Sequence, residues 1–216
     1  MTKNRMIEEF KIALLSMNHL YSRELLQGWV RQFTAMEVIE ELIVPVMHEI
    51  GIGFEEGEVA LSQVYMTSRL CEELVQELLP VAKVEYKKEP RLGIAVIADQ
   101  HLLGKRIVAA TLRGAGYYVH DYGGGLLPEE LAQKVMDDRI DILLLSSLML
   151  HSALRIKEVK AELLRMNYSI PIVVGGAPFT FDSLLWQKVG ADSMAKTASD
   201  ALMLVKKWEK EMSMHG

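Results

Sequence analysis

A single cysteine, Cys71, stands in 216 residues, so no disulfide can close within the chain. It falls in a helical pattern, where a small buried hydrophobe is its expected role. A basic excess is missing as well. The formal net charge is −5 and no cluster of cations is longer than a pair such as Lys87-Lys88, which argues against the concentrated positive surface that nucleic acid requires. Long apolar runs are absent, and the first residues alternate Lys3, Arg5, Glu8 and Glu9 with apolar ones instead of forming a signal-peptide core. Neither nucleic acid nor membrane is therefore expected as a partner, and a cytoplasmic location is. Acidic tails, low-complexity tracts and internal repeats are lacking too. What is present is a chain half of whose residues are apolar, long enough for two small domains with an ample core. Its thirteen methionines read as ordinary core filler.

From Asn4 to Lys88 the pattern is helical throughout. Met6, Phe10, Ala13, Leu14 and Met17 make one apolar stripe; Leu25, Leu26, Trp29, Val30 and Phe33 make a second. Thr34-Ala-Met-Glu37 has the form of a capping box, so a third helix starts near Ala35 and continues to Ile50, with a kink expected at Pro45 because proline has no amide proton to donate. Gly51, Gly53 and Gly57 interrupt the pattern around Phe54. A fourth helix is expected over about 59–86, with Pro80 as a kink or stop. Four amphipathic helices on short turns predict a bundle in residues 1–88. The charged, proline-bearing stretch from Glu85 to Arg91 reads as a linker.

From Leu92 short apolar runs alternate with helical patterns. Strands are expected near 92–98, 117–121, 141–146, 170–174 and 192–195, and helices near 103–115, 128–138, 152–167, 181–189 and 198–212. That rhythm predicts α/β architecture over residues 89–216, a doubly wound five-stranded parallel sheet with right-handed crossovers. The chain as a whole is thus expected to be a helical bundle followed by a Rossmann-like or flavodoxin-like domain.

Chemistry is expected at the strand ends. Ile94-Ala-Val-Ile-Ala-Asp-Gln-His-Leu-Leu-Gly104 is a buried-strand run that closes on Asp99, His101 and Gly104 just before a helix. In an extended segment residues two apart point the same way, so the Asp99 carboxylate can reach the His101 imidazole and fix its tautomer, as the carboxylate behind a metal-ligating histidine does. Two further strand ends carry polar or small residues: Ser146-Ser-Leu148 after the run 140–145, and Gly175-Gly176 after the run 170–174. Gly123-Gly-Gly125, after the second strand, reads as a loop.

Asp99-Gln100-His101-Leu102-Leu103-Gly104, Ser146-Ser147-Leu148 and Gly175-Gly176 together resemble the three-part signature of cobalamin-binding domains, in the right order and over nearly the whole chain. The resemblance is to the corrinoid proteins of cobalamin-dependent methyltransferase systems and to the cobalamin module of methionine synthase. It implies that cobalamin binds with its nucleotide tail pulled off the cobalt and that His101 takes the lower axial position. Asp99 is then the carboxylate bonded to that histidine, and Ser152 falls where a serine completes the relay, although a serine opening a helix is equally an N-cap. Gln100, Leu102, Gly104, Ser146, Leu148, Gly175 and Gly176 line the cofactor, the glycines letting the tail approach the backbone; a plain strand-end turn is the other reading of Gly175-Gly176.

The stretch from Phe54 to Val64 resembles the segment that covers the upper face of the corrin in those proteins, with Phe54, Leu61 and Val64 at the matching positions; ordinary bundle core is the alternative. Ser62 stands where many relatives have proline, and Leu102-Leu103 where relatives often have an acidic residue. The implied function is that of a non-catalytic corrinoid subunit that carries a methyl group as methylcobalamin, returns to cob(I)alamin, and cycles between a substrate-specific methyltransferase and an acceptor methyltransferase, with a reductive activator protein as a third partner. Methanol, methylamines, aromatic methyl ethers and methyl thiols are open as donors. The rival is a cobalamin-dependent sensor. Such regulators carry a tryptophan and a Glu-His pair where this chain has Phe54 and Gln63-Val64, and no DNA-binding pattern precedes the bundle here.

Overall fold

A computed structural model describes residues 3–78 and 86–215, apart from the side chains of Glu55 and His215. The chain divides into two compact units, Met1–Val81 and Ala82–Gly216.

The first unit is helical. α1 (Lys3–Leu15) buries Met6, Phe10, Ala13 and Leu14, and α2 (His19–Val30) buries Leu26 and Trp29, so both expected stripes point inward. The rings of Phe10 and Trp29 meet edge to face at 5.4 Å. α3 (Ala35–Val38), a π-turn (Ile39–Ile43) and α4 (Val44–Glu55) run on as one rod, and α5 (Leu61–Leu78) is the fourth. α1 packs against α2, α4 and α5.

The capping box is formed: the Glu37 amide donates to Thr34 Oγ1 at 3.2 Å, and the Thr34 amide to Glu37 Oε2 at 2.8 Å. At Pro45 the helix widens instead of breaking. The Val44 amide donates five residues back, to Ile39, so the π-turn sits directly before the residue that has no proton to give. Cys71 is wholly buried, and burial pushes its thiol far above the ordinary range, as suits a core residue. The expected extension of the fourth helix beyond Leu78, Pro80 included, lies outside the described residues.

The second unit is a five-stranded sheet, β1 (Lys87–Ala95), β2 (Tyr117–Asp121), β3 (Ile142–Ser146), β4 (Ile172–Gly175) and β5 (Ser193–Ala195), in the order β2-β1-β3-β4-β5 with every pair parallel. Helices cover both faces, as a parallel sheet demands. On one, Leu143, Leu145, Ile172 and Val174 pack with Leu131 and Val135 of α7 (Pro128–Asp137) and with Ile156, Val159 and Leu163 of α9 (Ile156–Arg165). On the other, Leu92, Ile94, Leu144 and Val173 pack with Leu112 of α6 (Leu103–Gly114) and with Ala201 and Val205 of α12 (Ala198–His215). Glu209 of α12 joins the sheet's first edge: Lys87 Nζ reaches its Oε1 at 3.0 Å, Tyr117 donates its hydroxyl to Oε2, and the Lys87 ammonium lies 4.4 Å over the Tyr117 ring.

Three expectations need correction. Lys87–Arg91 are not linker; they are the start of β1, where Lys87 already pairs with Tyr117. Pro90 lacks a donor and the register shifts between Lys87 and Leu92, so a strand start carries the composition of a linker. The helix expected over 152–167 is two, α8 (Leu150–Leu154) and α9, because the Arg155 amide turns back to Ser152 at 3.2 Å. The helix over 181–189 is also two, α10 (Ala177–Phe181), with Pro178 in its first turn, and α11 (Leu185–Lys188). Asp182 separates them, its carboxylate accepting the Leu184 amide at 3.0 Å.

Leu143 is fully buried in the first cluster, whereas Leu164 on α9 is exposed. In chemical denaturation Leu143→Ala is expected to cost about 2–5 kcal/mol, and Leu164→Ala to stay within about 0.5 kcal/mol of the parent.

Candidate functional site

In the order β2-β1-β3 the chain leaves β1 toward one edge and returns to β3 toward the other. The crevice outside the carboxyl ends of β1 and β3 is therefore the switch point at which such sheets bind ligands. The expected residues gather there. Ala98, with φ of +48°, turns the chain out of the strand into the loop of Asp99 and His101. Oδ1 of Asp99 accepts the Gln100 amide at 2.6 Å, the His101 amide at 3.1 Å and His101 Nδ1, so carboxylate and imidazole are joined as expected. Burial alone would push the Asp99 carboxyl up; the His101 hydrogen bond, the His101 charge and the two amides outweigh it and hold the group below its ordinary value. Oδ2 is buried and has no hydrogen-bond partner. The His101 side chain keeps 13% exposure.

Other expected residues fall into two groups. Ser146 ends β3 level with Gly175 of β4, and Leu148 follows in the half-buried turn before α8. A side chain on Gly104 would begin 2.8 Å from Ser146 Oγ, on Gly175 2.9 Å from the Ala195 carbonyl oxygen, and on Gly176 (φ +111°) only 1.9 Å from the Ser147 carbonyl oxygen. At each of the three a side chain would crowd a neighbouring strand end, which a plain turn and a close approach of the cofactor tail both call for. Ser152 is not an N-cap, since Met149 holds that place in α8. Its buried hydroxyl donates to the Ile97 carbonyl of the β1 exit, and the structure does not bring it to Asp99. In the helical unit Phe54 (37% exposed) and Leu61 (51%) lie open, while Val64 (5%) is buried.

One pair was signalled by no motif. Lys105, buried in the first turn of α6, holds its ammonium against Oδ1 of Asp121 at the end of β2, and the same oxygen accepts the Gly123 amide at 2.9 Å. Burial raises the Asp121 carboxyl, but the Lys105 hydrogen bond, the Gly123 amide and the charges of Lys105 and Arg113 outweigh it and leave it lowered. A lysine after a glycine and an aspartate sixteen residues on are unremarkable in sequence; only the fold makes them a pair.

Among the described residues no three His, Cys, Asp or Glu side chains form a group able to hold a metal ion. A single imidazole does not retain a bare cation; it suits a metal whose other positions are filled by a macrocycle that arrives with it. The orphaned carboxylate oxygen and the tethered imidazole at the switch point fit such a group.

Comparison with known proteins agrees. Residues 91–206 and residues 6–79 each match a family described as a B12 binding domain, so fold and site define a cobalamin-binding protein. The chain is similar to a dimethylamine corrinoid protein of Methanosarcina acetivorans, at 28% identity over 95% of this chain and 98% of that one. A second from the same organism is 33% identical over 79% and 80%. The solved structure of the Methanosarcina barkeri monomethylamine corrinoid protein superposes with a TM-score of 0.78, at 25% identity over 95% and 99% of the two chains. This chain belongs to the family of B12-binding corrinoid proteins. No described helix is long and apolar enough to cross a membrane.

Because the folded Asp121 carboxyl lies below its ordinary value, its contribution is present above roughly pH 5 and is lost as pH falls through the folded value. Asp121→Asn is uncharged throughout. The stability gap between parent and variant, read by thermal unfolding, is expected to be constant near neutrality and to close on acidification.

Proposed function

We propose that this protein is a methyl carrier, which binds cobalamin with the nucleotide tail displaced and His101 beneath the cobalt. The observation that carries the reading is the Asp99–His101 pair at the switch point of a corrinoid-family sheet. When bound, cobalamin supplies the chemistry, its cobalt centre taking a methyl group from one partner and giving it to another. The residues of the chain do the rest. With Nδ1 of His101 donating to Asp99, the imidazole keeps its lone pair on Nε2, the atom a metal would take. Gln100, Leu102, Gly104, Ser146 and Leu148 border the tail, with Gly175 and Gly176 at the next strand end. Ser152 steadies the loop through Ile97.

Phe54, Leu61 and Val64 are assigned to the upper face, where they exclude water from the methyl group; the exposure of Phe54 and Leu61 supports that reading. The partners are a substrate-specific methyltransferase, an acceptor methyltransferase and a reductive activator protein, in the cytoplasm. A methylated amine is the donor class that the names of the relatives favour.

Reconstituted protein is expected to retain cobalamin absorbance through gel filtration and, in the Co(II) form, to show nitrogen hyperfine splitting in its electron paramagnetic resonance spectrum. In His101→Ala the splitting should vanish while the tail pocket still retains cofactor; identical spectra would remove His101 as the ligand. For the upper face the measurement is photolysis of protein loaded with methylcobalamin. Replacing Phe54, Leu61 and Val64 by alanine together should speed it several-fold, and an unchanged rate would deny these residues the covering role.

A further inference from the structure

The three glycines after β2 lie against the histidine loop, and their geometry is unlike that of an ordinary turn. β1 and β2 are in register at Ile94 and Asp121, and the two chains pair again at Ile97 and Leu126. Two residues, Ala95 and Val96, separate these points on the first chain; four, Tyr122 to Gly125, separate them on the second. The surplus is a bulge. Val96 donates to the Gly123 carbonyl at 3.1 Å before it and Ala98 to the Leu126 carbonyl at 3.1 Å beyond it. Gly123 (φ +79°) and Gly125 (φ +76°) adopt left-handed conformations, opposite the left-handed Ala98.

Between them Gly124 faces the loop that carries the imidazole. A Cβ there would lie 2.9 Å from the Asp99 carbonyl oxygen and 2.7 Å from Leu102 Cδ2; one on Gly125 would lie 2.1 Å from Gln100 Nε2. The bulge is itself anchored, because Asp121 holds the Gly123 amide and the buried Lys105 ammonium together. Both ends of the stretch from Val96 to Lys105 are therefore tied to one short segment following β2.

We propose that the Gly123–Gly125 bulge is a mould for the Asp99–His101 loop, with Gly124 as a positioning residue that sets where His101 stands. The inference rests on His101 being the lower ligand. Bulges beside functional sites re-aim side chains, and here the aiming is done by an absent Cβ. Since both amides that bond Asp99 Oδ1 belong to the loop, displacing the Asp99 carbonyl displaces the imidazole with it.

Gly124→Ala is the direct test, because the backbone at this position is not left-handed and the substitution acts through the contact alone. Gly114→Ala, at the end of α6, where a Cβ meets nothing within 4 Å, is the control. In cofactor-free protein, the Gln100 and His101 amides of Gly124→Ala should exchange with solvent about tenfold faster than in the parent, read by nuclear magnetic resonance, while the control stays unchanged. In the Co(II) form, Gly124→Ala should lose most of the nitrogen splitting that parent and control keep, with cofactor still bound. Lys105→Met, which frees Asp121 without touching the loop, should move both readouts in the same direction and carries the test if the alanine variant does not fold. Parent-like exchange and splitting in the variants overturn the mould while leaving His101 as ligand. A parent without nitrogen splitting overturns the reading of His101, and the mould's role with it.

Discussion

One carboxylate oxygen, Oδ1 of Asp99, takes three donors: two successive amides and the imidazole of the residue two positions on. The turn it closes is an Asx turn in form, and it has the unusual property that backbone and side chain of His101 hang on the same atom. Whatever shifts the carboxylate shifts the imidazole, and whatever charges the imidazole is felt at the carboxylate. The second oxygen, Oδ2, is buried and has no hydrogen-bond partner among the described residues.

The rest of the sheet unit serves that turn. A parallel sheet covered on both faces has only its strand ends open to ligands, and the order β2-β1-β3 parts the connections at the end of β1. Ser152 supports the β1 exit from the side of β3, and the Asp121–Lys105 pair supports it from the side of β2. Gly104, Gly175 and Gly176 stand where a Cβ would meet Ser146 Oγ or the carbonyl oxygens of Ala195 and Ser147. The loop is thus braced from both neighbouring strands before any cofactor arrives, which is the condition for a ligand to be held at a defined distance.

Much of this was legible in the sequence. Strands buried on both faces read as unbroken apolar runs, so β3 and β4 stand within two residues of their expected starts, and the spacing of Asp99 and His101 foretold their contact. The thread was lost where composition and role diverge. Lys87 to Arg91 carry charge and a proline yet pair in β1, because the start of a strand near the sheet's edge tolerates both. Ser152 looked like a cap, but a serine two residues into a helix has its hydroxyl decided by the strand beneath. Gly123-Gly-Gly125 could be recognised as irregular, whereas its fit against Asp99 and Leu102 depends on register between two strands, which no local pattern encodes. The close approach of Gly104, Gly175 and Gly176 to Ser146, Ala195 and Ser147 likewise depends on neighbouring strands and is not encoded locally.

Glu209 reaches from the last helix to both Lys87 and Tyr117, and the partners in the first of these bonds are 122 residues apart in the chain. During synthesis on the ribosome, the edge formed by β1 and β2 emerges long before the residue that clamps it. The sheet unit can therefore assemble its middle early, but its first edge waits for a helix that follows β5 to be made.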